Sequence, residues 1–172
     1  MLGIRYSMSL VLVATLVTLT GANAQDRKLP PPIGEPILTV EGNIQVTNGD
    51  GKARFDRAML EELGMSSIET ITPWFDSSMV FEGILVDRIM KRVGADGTEV
   101  VAIALNDYRT TIPLKDFEDF GVILALKRNN EYMTVKDKGP LFIIYPYDSD
   151  PELKSQKYYA RSVWQLSRLI VQ

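Results

Sequence analysis

The sequence predicts an α+β domain, and three observations predict it. Short apolar stretches rich in Val, Ile, Phe and Tyr, the composition of strands, recur from residue 37 to the C-terminus. Three or four short stretches with helix-capping residues are mixed among them. The chain has 172 residues, 45% hydrophobic and 24% charged, which suits one globular domain that buries its core without staples.

The first 24 residues are expected to stay outside that fold. MLGIRYSMSLVLVATLVTLTGANA has a positive start at Arg5, an apolar run from Met8 to Leu19, and the small-x-small pattern Ala22-Asn23-Ala24 that precedes a signal-peptidase cut. Cleavage after Ala24 leaves 148 residues. Arg5 is the only charged side chain removed, so the formal net charge goes from −3 to −4. The apolar run falls short of the about 20 residues of a transmembrane helix; an uncleaved anchor is the alternative. No cysteine follows the run, which excludes a lipidated N-terminus. The expected address is export, in a bacterium the periplasm.

Residues 25–36, QDRKLPPPIGEP, form a proline-rich arm in which Pro30, Pro31 and Pro32 favour an extended conformation without a core. It is expected to be a spacer, with a recognition segment as the alternative. The domain proper is expected over 37–172. ILTVEGNIQV (37–46) reads as the first strand and TNGDG (47–51) as a turn. FDRAMLEELG follows as a short helix: Asp56 can cap it, Phe55 and Leu60 occupy staple positions, and Gly64 can end it. SSIETIT (66–72) alternates as a strand and stops at Pro73-Trp74. MVFEGILVDRIMKRVG holds a short strand at Val80-Phe81 and a helix from about Leu85 to Val93, closed by Gly94. TEVVAIAL (98–105) has a buried-strand pattern, and YRTTIP (108–113) returns beside it after Asn106-Asp107. LKDFEDFG reads as a short surface helix, and VILALKR and EYMTVKD pair around Asn129-Asn130. LFIIYP (141–146) is a continuous apolar strand expected at the centre of a sheet, followed by a loop, YDSDPEL. KYYARSVWQLSRLIVQ gives a helical turn and then a strand from about Leu166 to Val171.

The chain has no cysteine and no histidine. That removes disulfides, thiolate nucleophiles, zinc–thiolate sites and iron–sulfur clusters. It also removes Ser–His and Cys–His pairs and imidazole ligands. Chemistry is left to carboxylates, Lys, Tyr, Ser and Thr. A net charge of −3 gives no electrostatic basis for nucleic-acid binding. DSDPE (148–152) is the only dense acidic run. It lacks the ordered oxygen series and closing Glu of a calcium loop, and reads as a solvated loop. There is no P-loop and no Gly-rich dinucleotide fingerprint.

Four stretches put an aromatic ring beside hydrogen-bonding groups at an element end, where binding sites usually lie. They are TPW at 72–74, NDY at 106–108, KGPLFIIYPYD at 138–148 and RSVWQL at 161–166. Taken singly, each reads as turn chemistry plus core packing. Trp74 is the sharpest case. A large apolar ring in a polar, proline-marked loop either tucks under that loop or offers a face to something else.

In this order and spacing the stretches resemble the sulfite-oxidase-like domain, the molybdopterin-binding oxidoreductase fold, from about residue 37 to the C-terminus. FEGILVDRIM is similar to the family's Phe-x-Gly-apolar-Leu lead into a helix. NDYRTTIPL stands where members usually carry Asp-Gly-Tyr followed by Ile/Val-Pro-Leu. KGPLFIIYP resembles the Gly-x-Pro-strand-Pro segment, and RSVWQLSRL the closing Ser-Val segment. The resemblance implies mixed β-sheets with several short helices in one domain.

Enzymes of that family hold molybdenum through the pterin's dithiolene and one protein cysteine, placed between the first strand region and the Phe-x-Gly segment. Here that interval is SSIETITPWFDSSMV, with Trp74 where the cysteine is expected. This variant resembles a cysteine-free branch of exported pterin-binding proteins, encoded with and acting on membrane diguanylate cyclases or phosphodiesterases that have periplasmic sensory domains. The resemblance implies a ligand, a reduced or molybdopterin-like pterin held without metal. It implies a partner, the periplasmic domain of such a membrane protein or another sensor, in cyclic-di-GMP control. It implies a binding module rather than an enzyme. A molybdopterin-dependent oxidoreductase with a Ser or Asp oxygen in place of the thiolate is the alternative, and a scaffold that binds nothing is the third reading.

A pterin is a flat, electron-poor bicycle with an amide edge, so its site needs an aromatic face and acceptors at that edge. Trp74 is expected to supply the face and Asp107, partly buried, to accept two N–H bonds from the edge. Asn106, Tyr108, Arg161 and Ser162 are expected at the remaining heteroatoms, with Trp164 in the same closing segment.

Overall fold

The structure is a computed structural model that describes residues 28–172. The leader expected at 1–24 lies outside the described residues. Among the described residues no helix is long and apolar enough to cross a membrane.

The fold is α+β, as the sequence predicts. The elements run β1 (Leu38–Gly42), β2 (Ala53–Phe55), α1 (Arg57–Glu62), β3 (Met65–Thr70), β4 (Met79–Leu85), α2 (Val86–Val93), β5 (Glu99–Ala104), β6 (Arg109–Pro113) and α3 (Leu114–Phe120). Then come β7 (Ile123–Arg128), β8 (Glu131–Tyr132), β9 (Phe142–Ile144), α4 (Gln156–Arg161) and β10 (Leu166–Val171). One five-stranded sheet has the order β2-β1-β10-β5-β6, with β1 and β10 parallel and the other pairs antiparallel. The other runs β3-β4-β7, and β8 and β9 both pair with β7.

Side-chain alternation along β7 shows why its sequence is apolar without a break. Leu124 and Leu126 belong to the main core, which both sheets and all four helices build. Ile123 and Ala125 point the other way, into a smaller core with Phe81, Met133, Phe142 and Ile144. A strand buried on both faces has no polar face to show.

Several elements depart from the sequence reading. The first strand stops at Gly42, not Val46, because Gly42 takes a φ of +91° and has no room for a Cβ against the Val171 carbonyl. β2, three residues long, is an unpredicted strand that pairs with β1. The strand read at Val80-Phe81 extends over all of β4. α3 is no mere surface helix, since Asp116 and Phe117 are buried. β9 is buried but not central. Among the described residues its only strand partner is β7, and its far side is covered by the chain before β10, where Ile143 N–H donates to the Val163 carbonyl at 3.0 Å.

The proline-rich arm is also more than a spacer. Leu29 is buried in the main core. Asp56 caps α1 through Met59 N–H at 2.9 Å, and its second oxygen takes the N–H groups of Ile33 and Gly34 at 2.9 and 2.8 Å. The bond from Met59, then those from Gly34 and Ile33, hold the Asp56 carboxyl below the usual carboxylate range. One carboxylate therefore ties arm, strand end and helix together.

Candidate functional site

Three segments meet around a cavity of about 340 Å³. The loop after β3 brings Pro73 and Trp74. The β5–β6 turn brings Ala104, Asn106 and Tyr108. Helix α4 and the chain to β10 bring Gln156, Tyr159, Ala160, Ser162, Val163 and Trp164. Five of the seven residues expected at the site line this one cavity: Trp74, Asn106, Tyr108, Ser162 and Trp164. Among the described residues no lining side chain is charged.

Trp74 sits where the two cores join and packs against both. It meets Phe142, Tyr147, Tyr159 and Trp164 edge to face, with centroids 5.2, 6.3, 6.1 and 5.8 Å away. It is only half-buried, and part of its ring faces the cavity. Trp164 is half-buried too, with the Lys138 ammonium 4.3 Å from its ring centroid. Among the described residues neither indole N–H has a partner in the protein.

The β5–β6 turn is built by its own side chains. Asn106 Oδ1 accepts the Tyr108 N–H at 3.1 Å, and the Asp107 N–H reaches the Ala104 carbonyl at 3.1 Å. Asp107 takes a left-handed φ of +65°, which Asp tolerates better than most residues. With Oδ1 spent on the turn, the Asn106 amide N–H₂ is unspent within the protein. Tyr108 reaches across the mouth, its hydroxyl donating to the Ala160 carbonyl of α4 at 2.9 Å.

Ser162 is buried at the back. Its Oγ donates to the Tyr158 carbonyl at 2.9 Å, so the Tyr147 hydroxyl is the donor in the short bond between the two side chains. Burial pushes the Tyr147 phenol well above its ordinary pKa, and it stays neutral. Among the described residues Ser162 therefore has no base to activate it, and one lone pair of its oxygen is unspent.

Two expected residues are placed elsewhere. Arg161 does not line the cavity. It forms an ion pair with Asp116 at 2.8 Å, and the same carboxylate oxygen accepts the Tyr145 hydroxyl at 2.8 Å. Arg161 follows Ala160 on α4, and the helical turn points it away from the wall that Ala160 forms. Asp107 is exposed and outside the lining, because the turn that brings Asn106 inward sends its neighbour out. The edge acceptor assigned to Asp107 is thus not in the wall. Gln156 and Tyr159 were not expected there. Their spacing with Ala160, three and four residues along one helix, is the pattern that marks a shared face.

The walls carry amide, hydroxyl, indole and phenol groups and no thiolate, imidazole or carboxylate. Among the described residues that wall offers molybdenum no thiolate, and the Ser162 oxygen is already engaged with Tyr158 and Tyr147. No protein-family model matches the chain, and a comparison with curated proteins finds no significant match.

Proposed function

We propose that the protein is a binding module: it takes a pterin in the cavity between Trp74, the β5–β6 turn and α4, and reports that ligand to a membrane signalling partner. The observation that carries the reading is convergence. Residues from three distant stretches meet on one cavity whose described lining carries no charged side chain and includes two tryptophans and two amide side chains, Asn106 and Gln156. Its volume is within the about 300–1,000 Å³ typical of small-molecule sites. Trp74 supplies the face, Asn106 and Gln156 the rim, and Ser162 an acceptor at depth. Stacking on an aromatic ring is worth about 1–3 kcal/mol. With rim hydrogen bonds of about 1 kcal/mol each and the burial of both faces, micromolar affinity, about −8 kcal/mol, is within reach.

The partner belongs to the same proposal on the strength of the resemblance: a periplasmic sensory domain of a membrane diguanylate cyclase or phosphodiesterase, met after export. Two measurements test the reading. Titrating purified protein with tetrahydrobiopterin without oxygen, and separately with molybdopterin, should quench indole fluorescence with micromolar dissociation constants. No quenching at about 1 mM of either, a level equal to only about −4 kcal/mol, would remove the ligand. N-terminal sequencing should find Gln25 first; a chain that still carries Met1 would contradict export.

A further inference from the structure

We infer that Asp148 is a positioning residue for the Trp74 face, acting through the backbone of the loop that carries it. This rests on the reading of the cavity as a ligand site. The argument is one of hydrogen-bond accounting. The β3–β4 ladder ends at the pair Thr70 and Met79. Between them, residues 71–78 must hold a tryptophan in place with no ladder. Within that segment Trp74 N–H donates to Thr72 Oγ1 at 3.3 Å, a bond inside the loop. Ser78 Oγ reaches back to Glu69 at 3.5 Å, a bond to the strand just left. Among the described residues, one hydrogen bond joins 71–78 to a distant part of the fold: Ile71 N–H to Asp148 Oδ2, at 2.7 Å.

The same carboxylate oxygen takes the hydroxyl of the buried Thr70 at 3.1 Å. Lys154 closes the other oxygen at 2.7 Å. Lys154 first, and then the Ile71 N–H, hold the Asp148 carboxyl below the usual range, so it remains an acceptor at neutral pH. Asp148 follows Tyr147, whose ring meets both Trp74 and Tyr159 of the cavity wall. The chain that packs the back of the Trp74 ring thus also clamps its loop, three residues away. The acidic run DSDPE, solvated by its composition, has its first member in the site's frame.

The test labels the protein with 5-fluorotryptophan. The chain has two tryptophans, so the fluorine spectrum holds two resonances, and Trp74→Phe assigns them. Asp148→Ala should shift or broaden the Trp74 resonance. Asp148→Asn, which keeps an oxygen for the Ile71 N–H, and Lys154→Met, which leaves that bond intact, should resemble the wild type. Thr70→Val, which keeps the side chain's shape and removes the bond to Oδ2 together with the acceptor of the Asp148 N–H at 3.3 Å, leaves the Ile71 bond in place, should move the same resonance less and covers the case in which Asp148→Ala does not fold. Affinity for tetrahydrobiopterin should fall roughly tenfold in Asp148→Ala, as a face held out of register loses its contacts, and be restored in Asp148→Asn. An unmoved Trp74 resonance in Asp148→Ala and Thr70→Val overturns the inference. So does a moved resonance with affinity unchanged. A wild type that binds no pterin overturns the ligand reading instead, and the resonance alone then decides the clamp.

Discussion

The indole rings of Trp74 and Trp164 meet edge to face, 5.8 Å between centroids and 77° between planes. Each also touches Phe142, at 5.2 and 6.2 Å. The pair is anchored on a core residue from behind and bounds the cavity in front. Trp74 therefore does both things open to a loop tryptophan. It packs under its own loop with part of its surface and lines the cavity with the rest, and the predictions below separate packing from the proposed ligand role.

Arg161→Met tests a residue that the resemblance implied for the ligand and the structure gives to the frame. Its charge is paired with Asp116, and both side chains are largely buried. Removing one member strands the other, at a cost of about 3–5 kcal/mol. Thermal unfolding should show the loss. Pterin affinity of the folded protein should stay within about twofold, as for a site with no shared partner. A large fall in affinity with unchanged stability would return Arg161 to the site.

Asn106 and Asp107 should behave oppositely. Asn106→Ala removes the acceptor that shapes the turn and the amide that faces the cavity, and should weaken pterin binding about tenfold, near 1.4 kcal/mol. Asp107→Gly keeps the left-handed backbone and removes only an exposed carboxylate. Its stability should stay within about 1 kcal/mol of the wild type, with affinity unchanged. Calorimetric titration of both variants checks the pair.

The fold was legible where local chemistry decides it. Asp56, Gly64 and Gly94 mark helix ends by capping and by left-handed conformation, and the structure uses each that way. The turns at Asp50-Gly51 and Asn129-Asn130 also carry the positive φ angles that their residue types favour. What stayed hidden depends on contacts between distant segments. Nothing in LFIIYP says whether a strand or a stretch of irregular chain covers its far edge. Nothing local in the arm says that Leu29 finds the core. Around the cavity, stretches singled out in the sequence do converge, and what the sequence did not carry is side-chain direction. Arg161 and Ser162 are neighbours, as are Asn106 and Asp107, yet one of each pair faces the cavity and the other does not. A single residue's step on a helix end or in a turn reverses the side to which a side chain points.

Acid should loosen the arm. The folded Asp56 carboxyl lies below its ordinary value, so its stabilisation is fully present above about pH 4 and is lost as pH falls through the folded pKa. Asp56→Ala also deletes a cap and should cost about 1–2 kcal/mol at neutral pH. Urea unfolding between pH 7 and pH 3 should show wild type and Asp56→Ala converging as the pH drops. A gap that stays constant would mean that the carboxylate's charge contributes nothing.

The most direct measurement of the central claim takes melting temperature and pterin affinity on the same Trp74→Ala protein. A half-buried ring touching four others should cost about 2 kcal/mol on truncation, below the 3–5 typical of a fully buried one, or about 4–8 °C in Tm. Titrated well below that Tm, the variant should bind tetrahydrobiopterin roughly ten- to hundredfold more weakly than wild type, the loss of one stacking face. A folded Trp74→Ala protein with wild-type affinity would contradict the account and leave Trp74 as packing alone.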